Sequence, residues 1–263
     1  MNILVAVFVN ALFGGYYLTH NLGWSVVLVT VVIRLLLIPL VLPSIKSGKK
    51  MRELQPKLKM LSEKFGKDKE GLAKAQMSLY KQEGVNPLSG CLPNILQIAV
   101  LLMFFSAFNM VTLFSQGKGS IEEINRHLVT GLKIDDQFKF DSVFLGNDLA
   151  LTPAKAFGNG IGWNLWLPVV LLLGSGVFQY LGSKLMMPEA GNKKVDASAF
   201  VKATADKEDD MMAAMRTQSL YMMPAMTVVL GWNFSLGVLL YWFVNSVVMY
   251  GQQVLIQGFG DKK

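Results

Sequence analysis

The feature that most constrains this chain is a single arginine in the middle of a long apolar run. Arg34 is the first charged residue of the sequence and lies within the 22 residues from 22 to 43. At about 1.5 Å per residue, a helix of that length crosses the roughly 30 Å hydrocarbon core of a bilayer. A guanidinium near the bilayer centre costs about 2.5 to 3.5 kcal/mol on insertion scales. We therefore expect the fold to supply a polar or hydrated place around Arg34, and we look for function there.

The composition is that of a membrane protein. Charged residues make up 16% of the chain and the mean hydropathy is +0.40, whereas soluble domains average about 25% charged residues. Spanning stretches occur at about 22–43, 86–114, 164–187 and 218–257, and the last is broken at Gly231 to Asn233. This pattern predicts an all-α polytopic membrane protein with five transmembrane helices in one core, 22–257. Alternating ten-residue segments, which are typical of membrane β-barrels, are not seen.

The distribution of charge predicts the orientation. Residues 44–83 hold 11 basic and 5 acidic side chains, whereas 115–163 and 188–217 each hold 5 basic and 6 acidic ones. Basic loops stay in the cytoplasm. We therefore expect 44–83 and 188–217 to be cytoplasmic and 115–163 to be an extracytoplasmic loop. The N-terminus is then outside and the C-terminus, with a short tail at 258–263, is cytoplasmic, in a multi-pass protein of the cell membrane.

The N-terminal segment, residues 1–21, allows two interpretations. Its apolar content is enough for a further span, which would place the N-terminus inside. Asn10 and the pair Tyr16-Tyr17 instead suit a helix that lies in the outer interface. We favour the interfacial helix, because no positive charge precedes the segment to hold it inside.

The basic segment 44–83 is predicted to form a helical hairpin. Pro39 and Pro43 are expected to end the first span. Apolar residues then recur at helical spacing on both sides of a turn at 66–68. Two antiparallel amphipathic helices follow, and their apolar stripe is expected to bury against a partner or the headgroup surface.

The five predicted spans contain polar residues but no aspartate or glutamate. Ion-coupled transporters usually need a carboxylate near the membrane midplane. Arg34 therefore has no ion-pair partner within the spans, and amides, hydroxyls and water are expected to solvate it. Such a cation would attract acidic or polar segments that enter from the cytoplasm.

No catalytic set is evident in the sequence. The two histidines, His20 and His127, are predicted to lie near or beyond the outer surface, and Cys91 is the only cysteine. No nucleophile triad, zinc motif or phosphate-binding loop is found. We expect no enzyme activity, no metal and no cofactor.

Four stretches together resemble the YidC/Oxa/Alb family of membrane protein insertases. They are VVIRLLLIPL, the hairpin with its LQPK turn and NPL-GC-P continuation, the weaker match around Gln179, and MMPAM with LLYWFVNSVVMYGQQ. The match covers about 22–114 and 164–257 and is to the core of the short bacterial YidC-type members. The chain departs from the family at 234–237, where many members have a proline-containing turn.

The resemblance implies five helices around a hydrophilic groove in the inner leaflet, with a cytoplasmic hairpin that receives substrates. It implies that the chain inserts and helps fold nascent membrane proteins. Further implied partners are the ribosome, a Sec translocon and membrane lipids, without sequence-specific nucleic-acid binding. The implied substrate-binding groove residues are Arg34, Thr30, Gln97, Gln179, Tyr241, Trp242 and Asn245.

Two other functions stay open on the sequence. A small anion channel or carrier could use Arg34 as its filter, although no inverted repeat supports it. A chaperone or assembly factor without insertase activity is the second alternative.

Overall fold

The computed structural model describes residues 3–66, 68–86, 92–135, 137–138, 140–158, 162, 165–186 and 218–260. These residues are mostly helical, and the predicted all-α class is confirmed. The helices are α1 Ile3–Thr19, α2 Leu22–Glu53, α3 Gln55–Phe65, α4 Lys69–Gln82, α5 Leu92–Ser115, α6 Ile121–His127, α7 Pro153–Gly158, α8 Trp166–Met186, α9 Met223–Gly231 and α10 Leu236–Gly260. A 3₁₀ turn covers Thr130–Leu132, a π-helical turn at Gln218–Met222 leads into α9, and the strands β1 Val143–Phe144 and β2 Asn147–Asp148 form one antiparallel hairpin.

Four of the described helices are long and apolar enough to cross a membrane, namely α2, α5, α8 and α10. The chain is thus a multi-pass membrane protein. The fourth of the five predicted spans is described from Gln218 to Gly231. The predicted loop 188–217 lies outside the described residues.

The first span does not end at its prolines, contrary to the sequence-based expectation. α2 is one helix of 32 residues that passes through Pro39 and Pro43 and ends at Glu53. Proline removes one helical N–H and frees the carbonyl four residues earlier. Membrane helices tolerate this loss where neighbouring groups satisfy the freed carbonyl. Residues 44–53 consequently continue α2, and the hairpin proper begins at α3.

Two helices, α3 and α4, form the hairpin, and apolar side chains pack between them. Leu54, Leu58, Tyr80 and Val85 form a small core separate from that of the spans. This burial raises the pKa of the Tyr80 phenol. The stripe that was expected to need a partner is thus largely covered within the hairpin.

The segment between α5 and α8 is folded against the opposite end of α2 from the hairpin. We call residues 120–158 the cap. The Leu22 N–H donates to the Asp141 carbonyl at 3.1 Å, which joins the cap to the start of α2. The Leu236 and Gly237 N–H groups donate to the Leu151 and Leu149 carbonyls at 2.8 and 3.0 Å. Cap carbonyls thus satisfy the first N–H groups of α10, which have no partner within that helix.

α1 lies between α2, α5 and the cap. Its Phe8, Val9, Leu12 and Phe13 are buried in the main core. Asn10 accepts from the Val129 N–H at 2.8 Å and donates to the His127 carbonyl at 2.6 Å. The cap is thus joined to the middle of α1 by hydrogen bonds.

Candidate functional site

Arg34 lies in α2 between α5 and α10, and 9% of the residue is exposed. Its Nε donates to the Oδ1 of Asn245 on α10, and its Nη2 donates to the Oε1 of Gln97 on α5. Two neutral amides on two different helices therefore hold the guanidinium. Each amide supplies its oxygen, which is the acceptor that a cation requires.

Further hydrogen bonds hold Gln97 and the backbone of Arg34. The Nε2 of Gln97 donates to the Tyr241 hydroxyl at 3.4 Å, and the Tyr241 ring stacks on Phe104 with centroids 4.4 Å apart. On the next turns of α10, the Nε2 of Gln252 donates to the Arg34 carbonyl at 3.4 Å. The α10 helix thus contacts both the side chain and the backbone of Arg34.

A small cavity adjoins the guanidinium. It measures about 250 Å³ with its open mouth included. Its lining combines polar groups and aliphatic side chains of three helices: Thr30, Ile33, Arg34, Leu37, Leu96, Gln97, Val100, Tyr241 and Asn245. Five of the seven residues that the resemblance implied therefore line one cavity. The Thr30 hydroxyl itself donates to the Val26 carbonyl at 2.6 Å.

The other two implied residues lie elsewhere. Gln179 on α8 accepts from the Thr227 hydroxyl of α9 at 2.8 Å, so it forms a second polar contact away from Arg34. Trp242 is half-buried and stacks on Phe234 with centroids 6.1 Å apart. It does not line the cavity that its neighbour Tyr241 lines.

The charge of Arg34 is not neutralised by any residue that the structure describes. Two ion pairs lie in the hairpin, between Lys57 and Glu83 and between Lys74 and Glu70. Burial of a charge is costly unless hydrogen bonds or an opposite charge compensate it. The amides lower this cost by hydrogen bonding, and because they are neutral the site keeps its net positive charge.

Sequence reasoning did not find the role of Gln252. Its contact with the Arg34 backbone joins two helices and therefore has no signal in the spacing along one helix. The prolines of α2 do not signal it either, because Pro39 frees the carbonyl of Leu35 and not that of Arg34. Within the described residues, no three histidine, cysteine or acidic side chains are grouped as a metal site would need.

Comparison with known proteins decides the family. The family described as 60Kd inner membrane protein matches residues 14–263 of this chain, which is nearly its full length. The chain belongs to this family. Its YidC/Oxa character, which the sequence motifs indicated, is thereby confirmed.

Several curated YidC-family relatives are similar over most of this chain. The membrane protein insertase YidC of Syntrophobacter fumaroxidans is 33% identical over 238 residues, which is 90% of this chain and 35% of that protein. MisCA of Bacillus subtilis, also a membrane protein insertase, is 30% identical over 92% of this chain and 73% of its own length. YidC of Legionella pneumophila (strain Corby) is 31% identical over 94% and 34%. The chain thus spans about a third of the YidC relatives and about three quarters of MisCA.

Proposed function

We propose that this protein is an insertase and chaperone for nascent membrane proteins, and that Arg34 is the charge that attracts their polar segments. The observation that carries the proposal is the amide-held guanidinium beside a cavity within a bundle of membrane-spanning helices. The names of the YidC and MisCA relatives support the same function.

The mechanism is physical, and no covalent step is needed. A short acidic or polar segment of a client enters from the cytoplasm into a groove that contains water when it is open. There the segment is drawn towards Arg34. The groove shortens the apolar path for that segment. The client's own apolar span then moves sideways into lipid, and the burial of its side chains drives the reaction.

In this mechanism, Asn245 and Gln97 position the guanidinium of Arg34. They orient the guanidinium by hydrogen bonds but do not cancel its charge, as a carboxylate would. A client carboxylate would then be the first full negative charge that Arg34 meets. Preorganised groups of this kind lose little free energy to reorganisation when a charge arrives.

The orientation follows from the charge distribution. We place the hairpin in the cytoplasm, where its excess of basic residues belongs, and the cap outside, with the N-terminus outside and the C-terminus inside. The position of α1 under the cap supports an interfacial helix. Because α2 runs without a break from Arg34 to the hairpin, one continuous helix connects the proposed site of client capture with the cavity.

Nascent membrane proteins are the substrates in this proposal, and membrane lipids surround the bundle. The ribosome and a Sec translocon are proposed as partners in delivery. The chain acts without catalysis of a covalent reaction.

The experiment is insertion of a single-spanning client with an acidic extracytoplasmic tail into proteoliposomes, measured by protection of the tail from added protease. The wild-type protein should protect the tail, and Arg34→Ala should protect it poorly. Gln179→Leu is the matched control, since it removes an intramembrane polar group outside the cavity. An anion channel would instead show chloride flux through the same vesicles, and flux without protection would overturn the proposal.

A further inference from the structure

The β-hairpin of the cap ends in an apolar tip. β1 and β2 pair Val143 with Asp148 and Phe144 with Asn147, so the turn consists of Leu145 and Gly146. Both turn residues have positive φ angles, 50° and 79°. Two-residue turns of this kind strongly prefer Asn-Gly, because an asparagine tolerates the left-handed conformation. A leucine with 54% exposure occupies that place here, at a conformational cost that no described contact repays.

The two faces of the hairpin differ sharply. Phe144 is 5% exposed, and it packs so closely on α2 that a Cβ at Gly23 would overlap its ring. Its ring also meets that of Trp24, edge to face, with centroids 5.4 Å apart. Val143 and Leu145, on either side of Phe144, are 52% and 54% exposed. The hairpin is thus fixed to the start of α2 by its inner residue and presents two aliphatic side chains outwards.

This apolar tip continues the lipid-facing surface of α2. In the part of α2 that begins beside the hairpin, every fourth residue is a large, exposed apolar side chain: Trp24, Leu28, Val32, Leu36 and Leu40. Residues at this spacing lie on one helix face, and α2 is long and apolar enough to cross a membrane. The stripe is therefore in contact with acyl chains, and Trp24 marks its end.

Two further tryptophans support the position of the interface. Trp166 begins α8, and Trp232 follows α9 where its carbonyl accepts from the N–H of cap residue Ala154. Both are exposed by 40% or more, as is Trp24. Exposed tryptophans at helix ends collect at the headgroup level of a bilayer. The hairpin lies beside one of these three residues, at the same end of the bundle.

The acidic groups near the tip are engaged by local donors. Asp148 accepts from the Ser142 hydroxyl and from the Ala150 N–H, each at 2.9 Å. Asp141 accepts from the Val143 N–H at 3.0 Å. These hydrogen bonds draw the carboxylates back to the base of the hairpin, so that the tip itself carries no charge.

We infer that Val143 and Leu145 insert into the interfacial region of the leaflet next to the cap, and that the hairpin anchors the cap to lipid. The partner is the boundary of headgroups and acyl chains, because the tip is apolar, uncharged and continuous with a lipid-facing helix surface. Insertion into lipid removes the exposed Leu145 side chain from water, and this burial is favourable. This anchor does not depend on the insertase function.

The test places an environment-sensitive fluorophore, nitrobenzoxadiazole, on the full chain in phosphatidylcholine and phosphatidylglycerol vesicles. Cys91→Ser removes the only native cysteine, and Leu145→Cys or Val143→Cys then carries the label. Glu122→Cys, an exposed position on α6, is the matched control in the same cap. Lipids with a doxyl quencher near the headgroup end of the acyl chain report contact.

The inference predicts blue-shifted emission at both tip positions and its loss with the doxyl lipid, with water-like emission at the control. Water-like, unquenched emission at both tip positions would overturn it. A blue shift that resists the doxyl lipid and grows with the protein-to-lipid ratio would also overturn it, and would assign the tip to a second copy of the chain. Asparagine suits the turn better than leucine, so Leu145→Asn tests the leucine itself. If this folded variant, labelled at Val143→Cys, keeps the same quenching, Leu145 is dispensable for the anchor.

Discussion

Two polar contacts inside the helix bundle differ in charge and in setting. Arg34 is held by Asn245 and Gln97 beside a cavity. Gln179 and Thr227 instead form a neutral pair at 2.8 Å between α8 and α9. The Thr227 hydroxyl oxygen also lies 3.0 Å from the Met223 carbonyl of its own helix, so its single hydrogen is shared between two acceptors.

Under the proposed function, this difference separates a polar group that meets the client from one that only joins two helices. A neutral pair between helices contributes about 0.6 kcal/mol on average and needs no further partner. α8 and α9 approach closely beside it, because a Cβ at Gly176 would lie 3.3 Å from the Val228 side chain. Packing between helices does not require a charged side chain. The fold nevertheless keeps the charge of Arg34, without an opposite charge among the described residues.

The largest effect is expected from Arg34→Ala. Two unit charges about 4 Å apart attract by about 4 kcal/mol at an effective dielectric constant of 20, and each 1.4 kcal/mol is about tenfold. Insertion of a client with an acidic tail should therefore fall by about tenfold or more, measured by protease protection. A client with a neutral tail is the control and should lose much less. Equal losses for both clients would contradict an electrostatic role.

A similar loss is expected from Asn245→Asp, although this variant gives Arg34 a stronger partner. The new carboxylate pairs with the guanidinium and cancels the charge that a client would meet. The preference for acidic tails should therefore disappear. Thermal unfolding in detergent should show that the protein remains folded. Asn245→Ser keeps a neutral acceptor and should retain most of the preference. A preference for acidic tails that survives Asn245→Asp would contradict the distinction drawn between the charged Arg34 site and the neutral pair of Gln179 and Thr227.

Gln97→Leu should have an intermediate effect. It removes one acceptor from the guanidinium and one donor from the Tyr241 hydroxyl. Hydrogen bonds to charged groups contribute about 1.5 to 3 kcal/mol, so a loss of stability of that order and a few-fold loss of acidic-tail insertion are expected. Tyr241→Phe isolates the 3.4 Å bond and should change both measurements little.

The smallest effect is expected from Gln179→Leu. The substitution removes the neutral pair with Thr227, so unfolding in detergent should shift by about 0.6 to 2 kcal/mol. Insertion of acidic and neutral clients should fall together and only in proportion to the folded fraction. A selective loss of acidic clients would place Gln179 in the same functional group as Arg34.

Much of the site could be predicted because it rests on one unusual residue. A charge in the middle of a span is visible in the sequence, and so is the lack of acidic residues in every span. The remaining polar residues left amides, hydroxyls and water as the groups to solvate Arg34, and the structure brings two amides to it. Which amides meet Arg34 depends on how α5 and α10 pack against α2, and the sequence does not show this.

The fold was predictable where the pattern is long and strongly apolar, and less so elsewhere. Pro39 and Pro43 suggested a helix end, because each removes a helical hydrogen bond. α2 nevertheless continues through both prolines. The cap at 120–158 has short elements held by backbone contacts with the helix ends, such as Leu236 with Leu151. Contacts of this kind join distant parts of the chain and leave no periodic signal.

The most direct test of the central claim is a charge swap between Arg34 and its client. Arg34→Glu should reject a client with an acidic tail but insert one whose acidic residues are replaced by lysine, with protease protection as the measurement. Asn245 and Gln97 can turn their NH₂ groups towards the new carboxylate, so the site should accept this change. Restored insertion of the lysine-tailed client is the predicted result. Equal failure of both clients in a folded Arg34→Glu protein would contradict the account.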